Sequence, residues 1–485
     1  MKNSKFKFNL PEEVRKISQT LSTAGFENYL VGGSIRDLVT NRVPKDWDVA
    51  TSATPEKIQK IFPDSFYENK FGTVGVKTSI GIVEITPYRL ESSYSDARHP
   101  DKVKWAKTIE EDLARRDFTI NALAYNIESE ELLDPFGGLK DIENKVIKTV
   151  DNPDDRFNED ALRMFRALRL ASELNFAIEL ETQSAITKNA ELTAKISRER
   201  IRDELVKIVL SDYPALALEL SARLGLLKFI SPEFEKGIGM KQNQAHAYTV
   251  WEHLLRTLEH SARKKYPLYV RLASFFHDIG KPHTKGLKGN TITFYGHEVV
   301  GAKLTKNIFE ELKFPKDLTE QAVKLVRWHM FFSDPDKITL SAVRRIVRNV
   351  GPELIWDLVN LRVCDRIGTG RPKETPFRLR KYKSMIEEVL RDPITVKQLS
   401  LGGVEVMQIT ETGPGPHVGF ILEILLSEVL ENPKLNTKEC LEKRVQELYK
   451  LKLDELTKLG REARVKNESE EEKEISKIRE EYKVN

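Results

Sequence analysis

"LVGGSIRDLVTNRVPKDWDVAT", Leu30 to Thr51, is the stretch whose reading decides the fold. Its first residues read as a strand that runs into a glycine turn at Gly32 and Gly33. Asp46 and Asp48 follow, with one tryptophan between them. Carboxylates at i and i+2 of a strand point to the same face. Like charges placed that way repel unless a cation lies between them. Mg²⁺ suits a site built from one or two carboxylates and substrate phosphates, and paired ions serve the attacking and leaving oxygens of a phosphoryl transfer. The two glycines let backbone approach a triphosphate closely, and Arg36 is placed to touch a phosphate or to brace Asp37. A DxD by itself is also a common surface turn, so the flanking sequence has to decide.

Upstream, "EEVRKISQTLSTAGF" has helical spacing, with Val14, Ile17 and Leu21 on one face and Gly25 as a stop. Downstream, Thr54 and Pro55 open a short helix, and "TVGVKT" and "IVEITPYR" alternate as strands do. From about residue 155 the pattern is helical. Asn158 is expected to cap "EDALRMFRALRLASEL", whose Leu162, Phe165 and Leu168 form an apolar stripe, and "SRERIRDELVKIVL" reads as the next amphipathic helix. A chain of 485 residues implies two to four domains. No apolar run reaches a membrane span, and the N-terminus lacks the apolar segment of a secretory signal. Two cysteines, Cys364 and Cys440, build no disulfide framework, so a reducing cytoplasm is the expected setting. A net charge of +4 neither demands nor excludes nucleic acid.

Taken together, the strings from Leu30 onward closely resemble the head domain of the class II tRNA nucleotidyltransferase and bacterial poly(A) polymerase superfamily. The resemblance rests on the GGxxRD turn and the DxD in "PKDWDVATSATPE". It continues in "VEITPYRLESSYSDARHPDKVKW", "EEDLARRDFTINALAYN", "DPFGGLKDI", "DDRFNEDALRMFRALRLA" and "SRERIRDEL", in that order, from about residue 25 to 210. It implies that Asp46 and Asp48 hold the metal ions, with Glu84 of "VEIT" as the third carboxylate. It assigns Gly32, Gly33, Arg36, Arg115, Arg116, Asp117 and Asn121 to the nucleotide, the arginines to phosphates and Asp117 to the ribose. Asp160 and Arg163, three apart on a helix, are implied to read the base, while Arg166 and Arg169 keep the same helix basic toward phosphates.

Seven of the nine histidines fall between 246 and 329. Imidazoles joined by carboxylates suit Mn, Fe, Ni or Zn better than Ca. The order His253, His277-Asp278, Asp365 resembles the HD phosphohydrolase superfamily, with His297 and His329 in the places of further ligands or phosphate contacts. His246, His260 and His283 have no motif support. The segment with "GPGPHVGFILEILL" and "NPKLNT" resembles the C-terminal helical element of CCA-adding enzymes.

The expected architecture is α+β. A nucleotidyltransferase head (1–150) precedes a helical neck that binds base and RNA (151–215), an HD-type helical domain (216–385), a C-terminal helical tRNA-binding element (386–465) and a charged tail (466–485). The expected activity is template-independent addition of CCA, from CTP and ATP, to the 3′ end of tRNA. Mg²⁺ is expected in the head, and a transition metal such as Mn, Ni or Fe in an HD site with phosphohydrolase activity. No membrane or protein partner is implied. The alternatives are a poly(A) polymerase, a CC- or A-adding specialist, and an HD hydrolase with a silent head. A flexible loop of full length between Tyr88 and Trp105 argues against the CC-adding form.

Overall fold

A computed structural model describes residues 4–67, 72–92, 102–242, 247–289, 291–331 and 338–464. Part of the Tyr88–Trp105 loop, His246 and the charged tail lie outside the described residues. The chain divides into two compact units, 1–232 and 233–485.

The first unit opens on a mixed sheet. Its strands are β1 (Ser4–Lys5), β2 (Asn28–Val31), β3 (Trp47–Thr51), β4 (Phe66–Tyr67), β5 (Val74–Thr78) and β6 (Gly81–Pro87). The hairpin β7 (Arg89–Ser92) and β8 (Lys102–Trp105) stands apart, and β9 (Ala124–Asn126) and β10 (Glu131–Leu133) complete the set. The eight sheet strands run β1-β10-β9-β2-β3-β6-β5-β4. All neighbours are antiparallel except β3 and β6. The amphipathic helix α1 (Glu12–Thr23) buries Val14, Ile17 and Leu21 and packs on β2 and β3. A second apolar cluster contains Tyr29, Val31, Ala50, Tyr88 and Leu113. Three further helices lie in the head, α2 (Gly33–Val39), α3 (Pro55–Ile61) and α4 (Ile109–Ala114), and α5 (Gly138–Glu143) follows them. Thr54 occupies the N-cap of α3 with Pro55 in the first turn, though no side-chain cap bond forms there.

Helices then dominate, through α6 (Pro153–Glu159), α7 (Leu162–Leu174), α8 (Leu180–Asn189), α9 (Arg198–Leu210), α10 (Pro214–Arg223) and α11 (Leu227–Ile230). The expected continuous helix capped by Asn158 is corrected here. Asn158 lies inside α6, and the chain breaks at Asp160, which is extended. Asp160 Oδ1 accepts from the Leu162 amide at 3.0 Å and so opens α7 in place of Asn158. Leu162, Phe165 and Leu168 are buried as an apolar stripe requires. The first unit runs on past residue 215 because α10 packs against α7 and α9.

The second unit is helical apart from a short hairpin, Gly286–Lys288 with Thr291–Thr293. Its helices are α12 (Val250–Arg263), α13 (Leu268–Phe276), α14 (Lys281–Thr284), α15 (His297–Glu311), α16 (Lys316–Trp328), α17 (Leu340–Val350) and α18 (Ile355–Gly368). They continue with α19 (Phe377–Val389), α20 (Gly403–Thr410), α21 (Pro416–Glu431) and α22 (Lys438–Tyr449), and residues 453–464 are helical as well. No helix among the described residues is long and apolar enough to cross a membrane.

Candidate functional sites

Gly32 follows β2 with φ of 73°, a conformation only glycine adopts without strain. A Cβ there would stand 2.8 Å from Arg116 Nη1 and 3.6 Å from Asp48 Oδ2, so backbone, guanidinium and carboxylate crowd one point. Trp47 opens β3 and is buried, and Asp48 on the strand is partly exposed; Asp46 stands in the bend just before β3, not on the strand as the i and i+2 reading expected. The parallel register of β3 and β6 sets Asp48 opposite Glu84. All three carboxylates line one cavity of about 940 Å³. Gly32, Gly33, Arg36, Arg115, Arg116, Asp117, Asn121, Asp160, Arg163, Arg166 and Arg169 line it too, so the head and neck residues expected at metal or nucleotide are brought to one place.

Much of the wall is a bonded network. Arg36 donates through Nε and Nη2 to Asp37 Oδ1 and through Nη1 to Asn121 Oδ1, at 2.8–3.0 Å. Asn121 Nδ2 donates to Asp117 Oδ1 (3.0 Å), and Arg166 Nε donates to Asp117 Oδ2 (2.7 Å). Burial opposes ionisation of Asp117, yet Arg166, Asn121 and Arg163 outweigh it and hold the carboxyl well below the usual range. Asp112, which the sequence reading did not single out, anchors the two adjacent arginines. Its Oδ1 accepts from Arg115 Nε and Nη2, and its Oδ2 from Arg116 Nη2 (3.0, 2.8 and 3.1 Å). Burial raises the Asp112 pKa, but the two guanidiniums prevail and hold it down to about 2. The signal was present in the i,i+3 and i,i+4 spacing to Arg115 and Arg116.

Asp160 and Arg163, read as a pair, have separate partners. Arg163 bonds Glu159 and, through Nη2, the Arg115 carbonyl (3.2 Å). Asp160 Oδ2 accepts from Arg200 Nη2 of α9 at 2.7 Å. Arg169 is bound to the buried Glu204 (3.2 Å).

In the second unit α12, α13, α15, α16 and α18 bring His253, His277, Asp278, His297, His329 and Asp365 into one buried cluster. His277, His297 and His329 each set Nδ1 against a carbonyl three residues back, those of Ser274, Phe294 and Val326, at 2.7–2.9 Å. A carbonyl only accepts, so Nδ1 carries a proton, and in the neutral ring Nε2 is left as a lone-pair donor. The Nε2 atoms of His253 and His277 lie 3.0 Å apart, and those of His297 and His329 lie 3.3 Å apart. Asp278 serves both pairs. Its Oδ2 is 3.1 Å from His253 and 3.3 Å from His277, and its Oδ1 is 3.2 Å from His297 and 3.5 Å from His329. Asp365 Oδ1 is 3.2 Å from His253. Lone pairs converging at such spacing fit ligands around a divalent ion with bonds of roughly 2.1 Å. Two groups among the described residues, His253-His277-Asp365 and His277-Asp278-His329, have ligand atoms all within 4.8 Å of one another. Lys281, also missed from sequence, sets its ammonium 2.6 Å from Asp278 Oδ2 and 2.6 Å from Gln242 Oε1. His260 faces Glu374, and His283 pairs with Glu233; neither joins the cluster.

Three family models match the chain: the poly A polymerase head domain over residues 28–148, the probable RNA- and SrmB-binding site of polymerase A over 175–238, and the HD domain over 246–354. A CCA-adding enzyme of Leuconostoc mesenteroides is 32% identical over 449 residues, covering 90% of this chain and 97% of the relative. One from Ligilactobacillus salivarius is 45% identical over 232 residues, about half of either chain (47% and 55%). The crystal structure of the Bacillus stearothermophilus CCA-adding enzyme in complex with CTP superposes with a TM-score of 0.69 at 28% identity, over 90% of this chain and 96% of that one. Domain models and end-to-end likeness agree with the carboxylate-and-arginine cavity, and the chain belongs to the CCA-adding enzyme family of nucleotidyltransferases, which use divalent metal ions.

Proposed function

We propose that this chain completes the 3′ end of tRNA by adding CCA from CTP and ATP without a nucleic-acid template. One observation carries the reading: Asp48 and Glu84 of adjacent strands, with Asp46 from the bend before β3, share with a rim of arginines a single cavity large enough for a nucleoside triphosphate and an RNA terminus. Solved relatives bound to CTP, to ATP and to tRNA support the substrate classes. Asp46, Asp48 and Glu84 form an all-oxygen donor set, for which Mg²⁺ is the suited ion. Divalent ions held there would neutralise charge on the oxygens attacking and leaving the α-phosphorus.

The remaining work falls to the chain. Arg115 and Arg116, fixed from behind by Asp112, hold the β- and γ-phosphates so that pyrophosphate departs in line with the attacking 3′-hydroxyl. Gly32 leaves room for the triphosphate. Asp117 orients the ribose while Arg166 and Asn121 hold its carboxylate. Asp160 accepts from the exocyclic amino group that cytosine and adenine share, and Arg163 donates to the ring. In this reading 1–150 is the head, 151–215 the neck, 216–385 the HD domain and 386–465 a tRNA-binding element, in a cytoplasmic enzyme.

The converging imidazoles favour a second activity. His253, His277, Asp278, His297, His329 and Asp365 would hold one or two transition-metal ions, Mn, Ni or Fe by donor type. The bound metal would serve a phosphodiesterase or phosphatase acting on 2′,3′-cyclic or 2′-phosphate ends.

The test uses tRNA transcripts ending before CCA, after C and after CC, each with Mg²⁺ and CTP, ATP or both. Addition that stops at CCA is expected. Stopping at CC, adding only the last A, or running on into poly(A) would replace the proposal with the corresponding specialist. No addition would leave the HD site as the working centre.

A further inference from the structure

Of the six residues in the histidine cluster, Asp365 is the most exposed, at 7% against 0–2% for the others, so the cluster meets solvent on the side of α18. Arginines stand there. Arg362, Asp365 and Arg366 share one face of α18, three and four residues apart. Arg362 Nη1 donates to Asp365 Oδ2 at 2.7 Å. Arg366 donates through Nε to the Lys373 carbonyl at 2.7 Å, a partner that takes a hydrogen bond but cancels no charge. Arg371 follows the helix and is exposed. Neither Arg366 nor Arg371 pairs with a carboxylate among the described residues, and Glu374, the next acid along the chain, is taken by Lys264 at 2.8 Å. Burial, Arg371 and Arg362 together lower the pKa of Arg366, so like charges crowd this end of the helix. A fourth cation joins them. Arg256, one turn beyond His253 on α12, lies 4.0 Å over the Tyr248 ring, and a Cβ on Gly370 would stand 3.3 Å from Tyr248 Cε2.

Surplus positive charge beside a metal-type centre calls for an anion, and the guanidinium fork matches phosphate oxygens. The ester to be hydrolysed lies at the cluster itself, so these arginines remain for another group. We propose that Arg366 and Arg371 form a subsite for a second phosphate, and that the HD centre therefore prefers substrates carrying a further phosphate beside the one it hydrolyses. The inference deepens the phosphohydrolase reading above and rests on it. In the reaction, water adds to the phosphorus of a 2′,3′-cyclic ester, one P–O bond breaks, and the freed ribose oxygen takes up the proton that the water gives up. The second phosphate takes no part in that exchange. Held by Arg366 and Arg371, it fixes the ester at the cluster, which is orientation bought with binding energy remote from the reacting atoms. Arg362 has a different task, because it is bound to Asp365 and positions that carboxylate. Two sources supply a second phosphate: the preceding phosphodiester of an RNA end, and the 5′-phosphate of a mononucleotide.

The test uses the full chain with Mn²⁺ and three substrates: adenosine 2′,3′-cyclic phosphate, the same compound with a 5′-phosphate, and the dinucleotide ApA ending in a 2′,3′-cyclic phosphate. A second phosphate is expected to raise kcat/KM by roughly tenfold or more, the scale of one charge-assisted hydrogen bond. R366A and R371A should each remove most of that preference through KM and leave the single-phosphate substrate unchanged. A gain with the dinucleotide alone assigns the subsite to RNA ends, and a gain with the 5′-phosphate alone assigns it to mononucleotides. A second readout needs no metal. In the chelator-treated chain, hydrogen exchange of amides 360–376 reads this patch apart from the head. Adenosine 3′,5′-bisphosphate is expected to slow it at a roughly tenfold lower concentration than 3′-AMP, and R371A to abolish the difference. Equal kcat/KM for all three substrates, or a preference that survives both variants, would overturn the subsite and leave the HD reading standing. Hydrolysis of none of the three would refute the HD reading and this inference with it. Should R366A lose cooperative melting, R371A, whose exposed side chain has no hydrogen bond to lose among the described residues, decides the same comparison.

Discussion

Asp112→Asn isolates the support behind the phosphate-binding arginines. The native side chain is 1% exposed and accepts from three guanidinium nitrogens and from the Arg89 amide at 3.1 Å. A fall in pKa from 3.8 to about 2 corresponds to about 2 kcal/mol in favour of the ionised form in the folded protein. Asparagine keeps the shape and one acceptor, but it turns an amide donor toward a guanidinium and leaves two cations without their counter-charge. Breaking a buried pair from one side costs about 3–5 kcal/mol, so a loss of about 2–4 kcal/mol is expected for the first unit. The sign with pH follows. Because the folded pKa is depressed, the contribution of Asp112 is fully present above about pH 4 and is lost as the pH falls through about 2. The variant therefore converges on the wild type in acid and differs most at neutral pH. Hydrogen exchange of β2, β3 and α4 amides reads the first unit separately from the second, where a single melting curve would mix them. The KM for CTP should rise about tenfold, since Arg115 and Arg116 are no longer held toward the triphosphate. Exchange rates within a factor of about 5 of wild type (1 kcal/mol,), together with an unaltered KM, would refute the reasoning.

Asp46→Asn and Asp48→Asn should each lower nucleotide incorporation by roughly a thousandfold, the scale of several kcal/mol of charge stabilisation, with melting unchanged; single-turnover assays check both. Gly32→Ala places a Cβ 2.8 Å from Arg116 Nη1 at a φ of 73°. It should cost about 1–3 kcal/mol and raise the KM for both CTP and ATP, as thermal melts and initial rates would record. His277→Ala with Asp278→Ala should abolish retained transition metal, measured by elemental analysis, and should abolish hydrolysis of 2′,3′-cyclic phosphates. A variant that still hydrolyses them at the wild-type rate removes the HD proposal.

What the chain determines locally was legible in its sequence. The glycine turn and the apolar stripes of α1 and α7 follow from side-chain period and backbone sterics, which act over a few residues, whereas Asp46, read as part of the strand, stands in the bend before it. The run of histidines announced a metal-type cluster because so many imidazoles on apolar helices lack another rationale. Asp112 and Lys281 were within reach, each standing three or four residues from a partner already singled out. The break at Asp160 was not, since helix spacing continues across it and the turn is fixed by one carboxylate-to-amide bond. Other facts belong to tertiary structure alone. Sheet register sets Glu84 beside Asp48, two residues that in sequence are simply acids on separate strands. Packing of α9 against α7 delivers Arg200 to Asp160. The carbonyls behind His277, His297 and His329 choose which ring nitrogen is left for a ligand. Composition and period encode what each segment is, while register, packing and hydrogen bonds between distant segments decide which side chains meet, because those depend on the whole chain closing on itself.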